Sequence, residues 1–193
     1  MTEIVLFHDA RGLTPGVVRF ADTLRAAGHV VHTPDLYDGI TFGDTESGVA
    51  HLQEIGQETA MHRGAAAVAD LPDDIVYAGM SMGCGVAAWL ALVAKPGSAK
   101  GALFLYGAPD PRWFDADWSA DLPAIALQTV DDPWREASED EGFRAWVPDG
   151  ELVDYPGSCH LFLDDSAEGY DPAVAAEATE RILAWLANLD QVS

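Results

Sequence analysis

The sequence predicts an α/β fold in which a mostly parallel sheet carries helices on both faces. Short apolar, β-branched runs alternate with longer helical patterns along all 193 residues, and no repeat or linker interrupts them. Alternating strands and helices produce parallel strands, because right-handed crossovers place each helix on one face of the sheet. A chain of this length can bury a single core, so we expect residues 1–193 to form one domain.

Each predicted element has its own local signal. In the first helix Val17, Phe20 and Leu24 fall on one face, and Gly28 is suited to end it. Pro172 is suited to open the last helix. The predicted strands are 3–8, 29–35, 74–80, 102–106, 124–129 and 151–155, and the predicted helices are 17–27, 51–69, 86–94, a short one around 143–147, and 172–189.

The chain is strongly acidic, with 32 Asp and Glu against 10 Lys and Arg and a net charge of -22. Such a surface repels nucleic acid and anionic membranes, which need clustered basic residues. The apolar segments are too short to span a bilayer, and the N-terminus opens on a strand pattern without a basic n-region. We therefore expect a soluble, cytoplasmic protein that binds neither nucleic acid nor membrane. Its oligomeric state is not indicated.

A possible nucleophile lies where the strand 74–80 gives way to a helix. Gly79-Met80-Ser81-Met82-Gly83 matches G-x-S-x-G in the required strand–turn–helix context. The flanking glycines allow a sharp turn that lifts the serine Oγ clear of the backbone. The same turn directs the Met82 N–H and the helix N-terminus at the space where an oxyanion would form.

A serine nucleophile needs a histidine base and an orienting carboxylate, which in α/β-hydrolases follow it in the order acid, then histidine. His160 follows the strand 151–155, and Asp131 and Asp132 follow the strand 124–129. The alternative for His160 is an ordinary loop histidine. Of the two acids we favour Asp132, because Pro133 fixes the turn directly after it; the alternative for Asp131 is an exposed loop acid.

The chain resembles the dienelactone hydrolase family of small α/β-hydrolases. The resemblance rests on "IVLFHDARGLTPGVVRFADTLRAAGHVVHTPDLYDG", "YAGMSMGCGVAAWLA", "LQTVDDPW" and "YPGSCHLF". It implies a three-layer α/β-hydrolase fold without a cap domain, with Ser81 as nucleophile, His160 as base and Asp132 as acid. It further implies an oxyanion hole from the backbone N–H groups of Met82 and Ala10.

The resemblance also places Asp9 where family enzymes have a glutamate near the nucleophile; the alternative is a loop acid that caps a turn. Two positions depart from the family. The namesake enzymes have a cysteine where this chain has Ser81, and an arginine that holds the substrate carboxylate where it has Asp164. We expect Asp164 to repel anionic substrates, with Arg11 and Arg112 as candidate anion binders or ordinary surface arginines.

Aromatic residues on the loops after the strands are expected to form an apolar pocket, with Trp134 and Phe162 beside the acid and the base. The residues expected there are Asp9, Arg11, Tyr37, Trp134 and Phe162. The sequence thus predicts a serine hydrolase that cleaves a carboxylic ester or lactone through an acyl-enzyme, without metal or cofactor. The alternative is a non-catalytic protein of the same fold that binds a small ligand or a partner.

Overall fold

The computed structural model describes residues 1–192 and contains one six-stranded sheet in which every pair of neighbours is parallel. The strand order is β2-β1-β3-β4-β5-β6. The first strand therefore lies next to one edge, the second forms that edge, and β3 to β6 follow in sequence order to the opposite edge. The strands are β1 Glu3–Phe7, β2 Val30–His32, β3 Ile75–Met80, β4 Ala99–Leu105, β5 Ala124–Thr129 and β6 Glu151–Tyr155.

Helices follow most strands and cover both faces of the sheet. They are α1 Pro15–Ala26, α2 Thr45–Ile55, α3 Gln57–Ala67, α4 Met82–Trp89, α5 Ala137–Trp146 and α6 Pro172–Val192. A π-helical turn, Leu90–Ala94, extends α4, and a 3-10 turn, Pro111–Phe114, lies in the loop after β4. The predicted three-layer α/β-hydrolase fold without a separate cap is confirmed.

The core consists of two clusters, one on each face of the sheet. Ile4 and Leu6 belong to the cluster that includes α1 and α6, whereas Val5 and Phe7 belong to the cluster that includes α2, α3 and α4. Successive strand residues point to opposite faces, so this division follows directly from the run of apolar residues in β1. A sheet buried on both sides leaves the loops at the carboxyl ends of its strands to form a site.

Several predicted boundaries were wrong. The helix expected over 51–69 begins earlier, at Thr45, after the side chain of Asp44 caps it through the Ser47 N–H, and Gly56 divides it. Gly56 has a φ of 84°, a conformation that few other residues adopt without strain, and it ends α2 and starts α3. The helix expected over 86–94 begins at Met82, immediately after Ser81.

No helix within residues 1–192 is long and apolar enough to cross a membrane. Over the same residues, no group of three or more His, Cys, Asp and Glu side chains is arranged to hold a metal ion. Cys84 and Cys159 are both free thiols.

Candidate active site

Ser81 lies in a tight turn between β3 and α4, with a φ of 51° and a ψ of -114°. Both glycines of the motif are required by close packing. A Cβ on Gly79 would overlap the Gly83 carbonyl, and one on Gly83 would overlap the Phe7 carbonyl at the end of β1. The Ser81 N–H donates to the Leu105 carbonyl at 2.7 Å, which anchors the turn to β4. The strained backbone is therefore fixed from both sides.

A hydrogen-bonded chain connects Ser81 to a buried carboxylate. Ser81 Oγ lies 2.8 Å from His160 Nε2, and His160 Nδ1 lies 2.6 Å from Asp132 Oδ2. The other oxygen of Asp132 accepts the Trp134 backbone N–H at 2.8 Å, across Pro133. Asp132 is buried while Asp131 is exposed, so of the two neighbouring acids only Asp132 faces the imidazole.

The loops that carry His160 and Asp132 are joined by their own hydrogen bonds. The Thr129 hydroxyl donates to the Cys159 carbonyl at 3.2 Å, directly before His160. The Tyr106 hydroxyl accepts the Leu163 N–H at 3.2 Å, and the Tyr106 ring packs 5.7 Å from the imidazole. These contacts hold the base against Ser81, since its loop is tied to β5 on one side and to the residue after β4 on the other.

Met82 and Ala10 lie where the end of β1 meets the start of α4. As the first residue of α4, Met82 has no acceptor for its N–H within the helix. Gly83 packs against the carbonyls of Phe7 and His8, and Gly48 of α2 packs against the Ala10 carbonyl from the other side. The loop after β1 is thereby held next to the turn that carries Ser81.

Asp9, Arg11 and Asp164 form a second buried group, here called the Arg11 cluster. The Arg11 guanidinium donates to Asp9 at 3.1 Å and to Asp164 at 2.6 Å, and the Arg11 backbone N–H donates to Asp9 at 2.8 Å. Asp9 therefore caps its own turn, which was the alternative interpretation of this residue from the sequence. Asp164 is 5% exposed and paired, so the expectation that it would repel a substrate anion was wrong.

Burial is the largest single influence on the pKa values of this cluster, but the hydrogen bonds and neighbouring charges together outweigh it. Desolvation alone would lower the pKa of Arg11, but its bonds to Asp9 and Asp164 raise that pKa above the usual value. Desolvation would raise the pKa of Asp164, but its bonds to Ser166 and Arg11 hold it below the usual value. Arg11 is thus neither a free anion binder nor a surface arginine.

A cleft of about 730 Å³ opens at Ser81 and His160. Trp134 lines it, as predicted, with its ring 6.1 Å from the imidazole. Tyr37 and Phe162 are fully buried elsewhere: Tyr37 packs among His8, Phe42 and His51, and Phe162 between Tyr106 and Tyr155. Asp9 and Arg11 also lie outside its lining.

The comparisons with known proteins agree with this architecture. The model of the dienelactone hydrolase family matches residues 1–189, nearly the whole chain. The chain belongs to the dienelactone hydrolase family. It is accordingly a hydrolase of the α/β type. No curated protein matches the sequence significantly.

Solved structures of the family share the fold at low sequence identity. A dienelactone hydrolase-like promiscuous phosphotriesterase from metagenomic libraries has a TM-score of 0.74 at 15% identity, over 98% of this chain and 87% of that one. A putative dienelactone hydrolase from Klebsiella pneumoniae has a TM-score of 0.74 at 19% identity, over 97% and 87%. The dienelactone hydrolase from Anabaena variabilis has 0.69 at 19% identity, over 97% and 86%.

Two residues that line the cleft of this family member were not found from the sequence. Tyr106 follows β4 at the edge where functional residues are expected, and that position was the available signal. Glu139 lies on α5 and lines the cleft, but nothing in its sequence context indicates this. Burial, with Glu136 and Asp140 nearby, raises the pKa of Glu139 to about 7.

Cys84, three residues after Ser81, is held away from any attack on a substrate. Its thiol is 3% exposed and lies 3.2 Å from the Gly79 carbonyl and 3.3 Å from the Leu105 carbonyl. Burial raises its pKa far above the usual value, so the reactive thiolate is strongly disfavoured. This thiol does not substitute for the cysteine nucleophile of the namesake enzymes.

Proposed function

We propose that this protein is a serine hydrolase that cleaves a carboxylic ester or lactone through an acyl-enzyme. The observation that supports this most strongly is the chain of hydrogen bonds from Ser81 through His160 to Asp132, at 2.8 and 2.6 Å. A serine hydroxyl is a weak nucleophile until a base removes its proton. Asp132 accepts from Nδ1 of the imidazole and so leaves Nε2 free to act as that base.

The proposed reaction proceeds in two halves. In the first, Ser81 Oγ bonds to the ester carbonyl carbon while His160 Nε2 takes its proton, and the Met82 and Ala10 N–H groups stabilise the oxyanion. The ester C–O bond breaks, and His160 returns the proton to the leaving alcohol. In the second half, water attacks the acyl-enzyme with the same proton transfers, which frees Ser81 and the acid. No step needs a metal or cofactor.

The charges of the cleft favour an uncharged substrate. Asp115 and Glu139 line it, and within the described residues its lining includes no Lys or Arg. A carboxylate-bearing ester would approach like charges without a cation to hold it. The proposed substrate is therefore a neutral small-molecule ester or lactone. The net charge of -22 favours a protein without nucleic-acid or anionic-membrane partners, and a cytoplasmic location is part of the proposal.

A fluorophosphonate probe tests the proposal against the alternative of a non-catalytic binding protein. Covalent labelling of the wild type, and none of Ser81→Ala, supports a serine hydrolase. Circular dichroism establishes that both proteins are folded. A folded wild type that resists the probe would support the binding protein instead. A panel of p-nitrophenyl esters with and without an acyl carboxylate then tests the substrate charge, and a preference for the anionic members would contradict it.

A further inference from the structure

One face of α4 is apolar although the core covers it only in part. Met82, Gly85 and Trp89 are partly exposed, and Val93 of the following π-helical turn is 43% exposed. Their spacing of three or four residues aligns them on one side of the helix. A helix face turned to solvent is normally polar, so an apolar one next to a nucleophile requires an explanation.

This face forms the floor of the cleft that begins at Ser81. Met61 of α3 and the aromatic side chains of Trp113 and Phe114 in the 3-10 turn also line the cleft. From Met82 to Val93 the helical rise extends about 16 Å. The cleft is therefore long enough for an extended chain, with its reactive end at Ser81.

Gly85 is the glycine in this segment that packing does not require. Gly79 and Gly83 are pressed against backbone, whereas a Cβ on Gly85 would meet no atom within 4 Å. Its φ is outside the left-handed region, so the backbone does not require glycine either. A glycine inside a helix costs about 0.5–1 kcal/mol relative to alanine. What Gly85 provides is open space on the floor of the cleft, one turn from the nucleophile.

We propose that this groove along α4 binds an extended apolar acyl chain, and that Gly85 keeps it open. The inference rests on the proposed function and names the substrate class more closely: neutral esters of medium-chain or longer fatty acids. The acyl side is assigned because the leaving oxygen must face His160 Nε2. His160 and Trp134 lie at the Ser81 end of the cleft, whereas the groove extends from Ser81 along the helix.

The test compares p-nitrophenyl octanoate with p-nitrophenyl acetate. Each methylene that leaves water for the groove should raise kcat/KM about three- to fourfold, so the wild-type octanoate-to-acetate ratio should be on the order of 10³ if all six additional methylenes bind there. Gly85→Leu places a side chain in the groove and should lower this ratio tenfold or more. Gly85→Ala should lower it less and should not lower the melting temperature.

Gly43→Leu is the matched control, because Gly43 is exposed, has equally open surroundings and lies outside the cleft lining. It should keep the wild-type ratio. A wild-type ratio near one, or a ratio that Gly85→Leu leaves unchanged in a folded enzyme active on acetate, would overturn the groove.

A binding measurement separates failure of the groove from failure of the proposed chemistry. Octanol should bind to Ser81→Ala, as measured by calorimetry, and at least tenfold more weakly to the Ser81→Ala, Gly85→Leu double variant. If esters were not hydrolysed but octanol bound in this Gly85-dependent way, the proposed acyl-chain groove would be supported and the proposed serine hydrolase activity would be contradicted. Equal octanol affinity for the two variants, or no binding to either, would contradict the proposed acyl-chain groove and leave the proposed hydrolase activity unaffected.

Discussion

Two buried carboxylate clusters lie at the carboxyl edge of the sheet. They differ in the group to which their carboxylates are hydrogen-bonded, an imidazole in one and a guanidinium in the other. In the first, Asp132 holds an imidazole whose second nitrogen lies 2.8 Å from Ser81. In the Arg11 cluster, Asp9 and Asp164 hold a guanidinium, which does not give up its proton in proteins. Burial and location are shared, so they do not identify a reactive group. What distinguishes the first cluster is a base that can exchange a proton with a nucleophile.

The largest expected effect is a loss of kcat, and it should distinguish two neighbouring acids, Asp131 and Asp132. Asp132→Asn should lower kcat by about 10⁴-fold, because an amide favours the wrong imidazole tautomer. Asp131→Asn is the matched control, since Asp131 is exposed and its backbone N–H, which the substitution keeps, donates to the Gly157 carbonyl. Steady-state kinetics on one neutral ester measures both. Equal losses, or a greater loss for Asp131→Asn, would place the orienting acid elsewhere.

The Arg11 cluster should matter for stability. Arg11→Met leaves the buried Asp9 without its guanidinium and leaves Asp164 with only Arg19 at 3.5 Å. Removing one partner of a buried ion pair typically costs about 3–5 kcal/mol in the free energy of unfolding. Arg181→Met, at an ion pair whose two side chains are about half exposed, should cost under about 1 kcal/mol. Urea unfolding compares the two variants. Similar values for both would mean that the cluster is no more important than a surface pair.

The contrast between these clusters also shows how far sequence reasoning reaches. Ser81, His160 and Asp132 could be proposed because each follows a strand, and parallel strands bring their carboxyl ends to one edge. The pairing of Arg11 with Asp164 could not, because it joins residues 153 positions apart on loops whose path no local pattern determines. Alternation likewise predicted the strands, whereas Tyr37 and Phe162 were misplaced because apolar loop residues can turn into the core as readily as into a cleft.

A smaller effect should appear when the Arg11 cluster is weakened by acid. The pKa of Asp164 is lowered in the folded protein, so its stabilising contribution is complete above the ordinary carboxyl pKa and is lost as the pH falls through the folded value. Asp164→Asn should therefore cost about 1–3 kcal/mol at neutral pH, and the difference from wild type should shrink in acid. Urea unfolding at several pH values measures this. A difference that grows toward low pH would contradict the assignment.

Glu139 provides the smallest and most specific comparison: it is a carboxylate that lines the cleft, and the charges of Glu136 and Asp140 add to the effect of burial on its pKa. Since its pKa is raised to about 7, it is mostly neutral at pH 6 and charged at pH 8. Glu139→Gln should raise kcat/KM for a carboxylate-bearing ester, relative to a neutral one, by roughly three- to tenfold at pH 8.

At pH 6 the Glu139→Gln variant and the wild type should show nearly the same selectivity, because the wild-type carboxyl is then protonated. Glu141→Gln, on the exposed side of α5, should leave selectivity unchanged at both pH values. A selectivity change in Glu139→Gln that is equal at pH 6 and pH 8 would mean that the hydrogen bonding of the side chain, and not its charge, acts on the substrate. The comparison then extends to a third case: a half-buried carboxylate whose pKa is raised by burial and by neighbouring acids makes the selectivity of the cleft depend on pH.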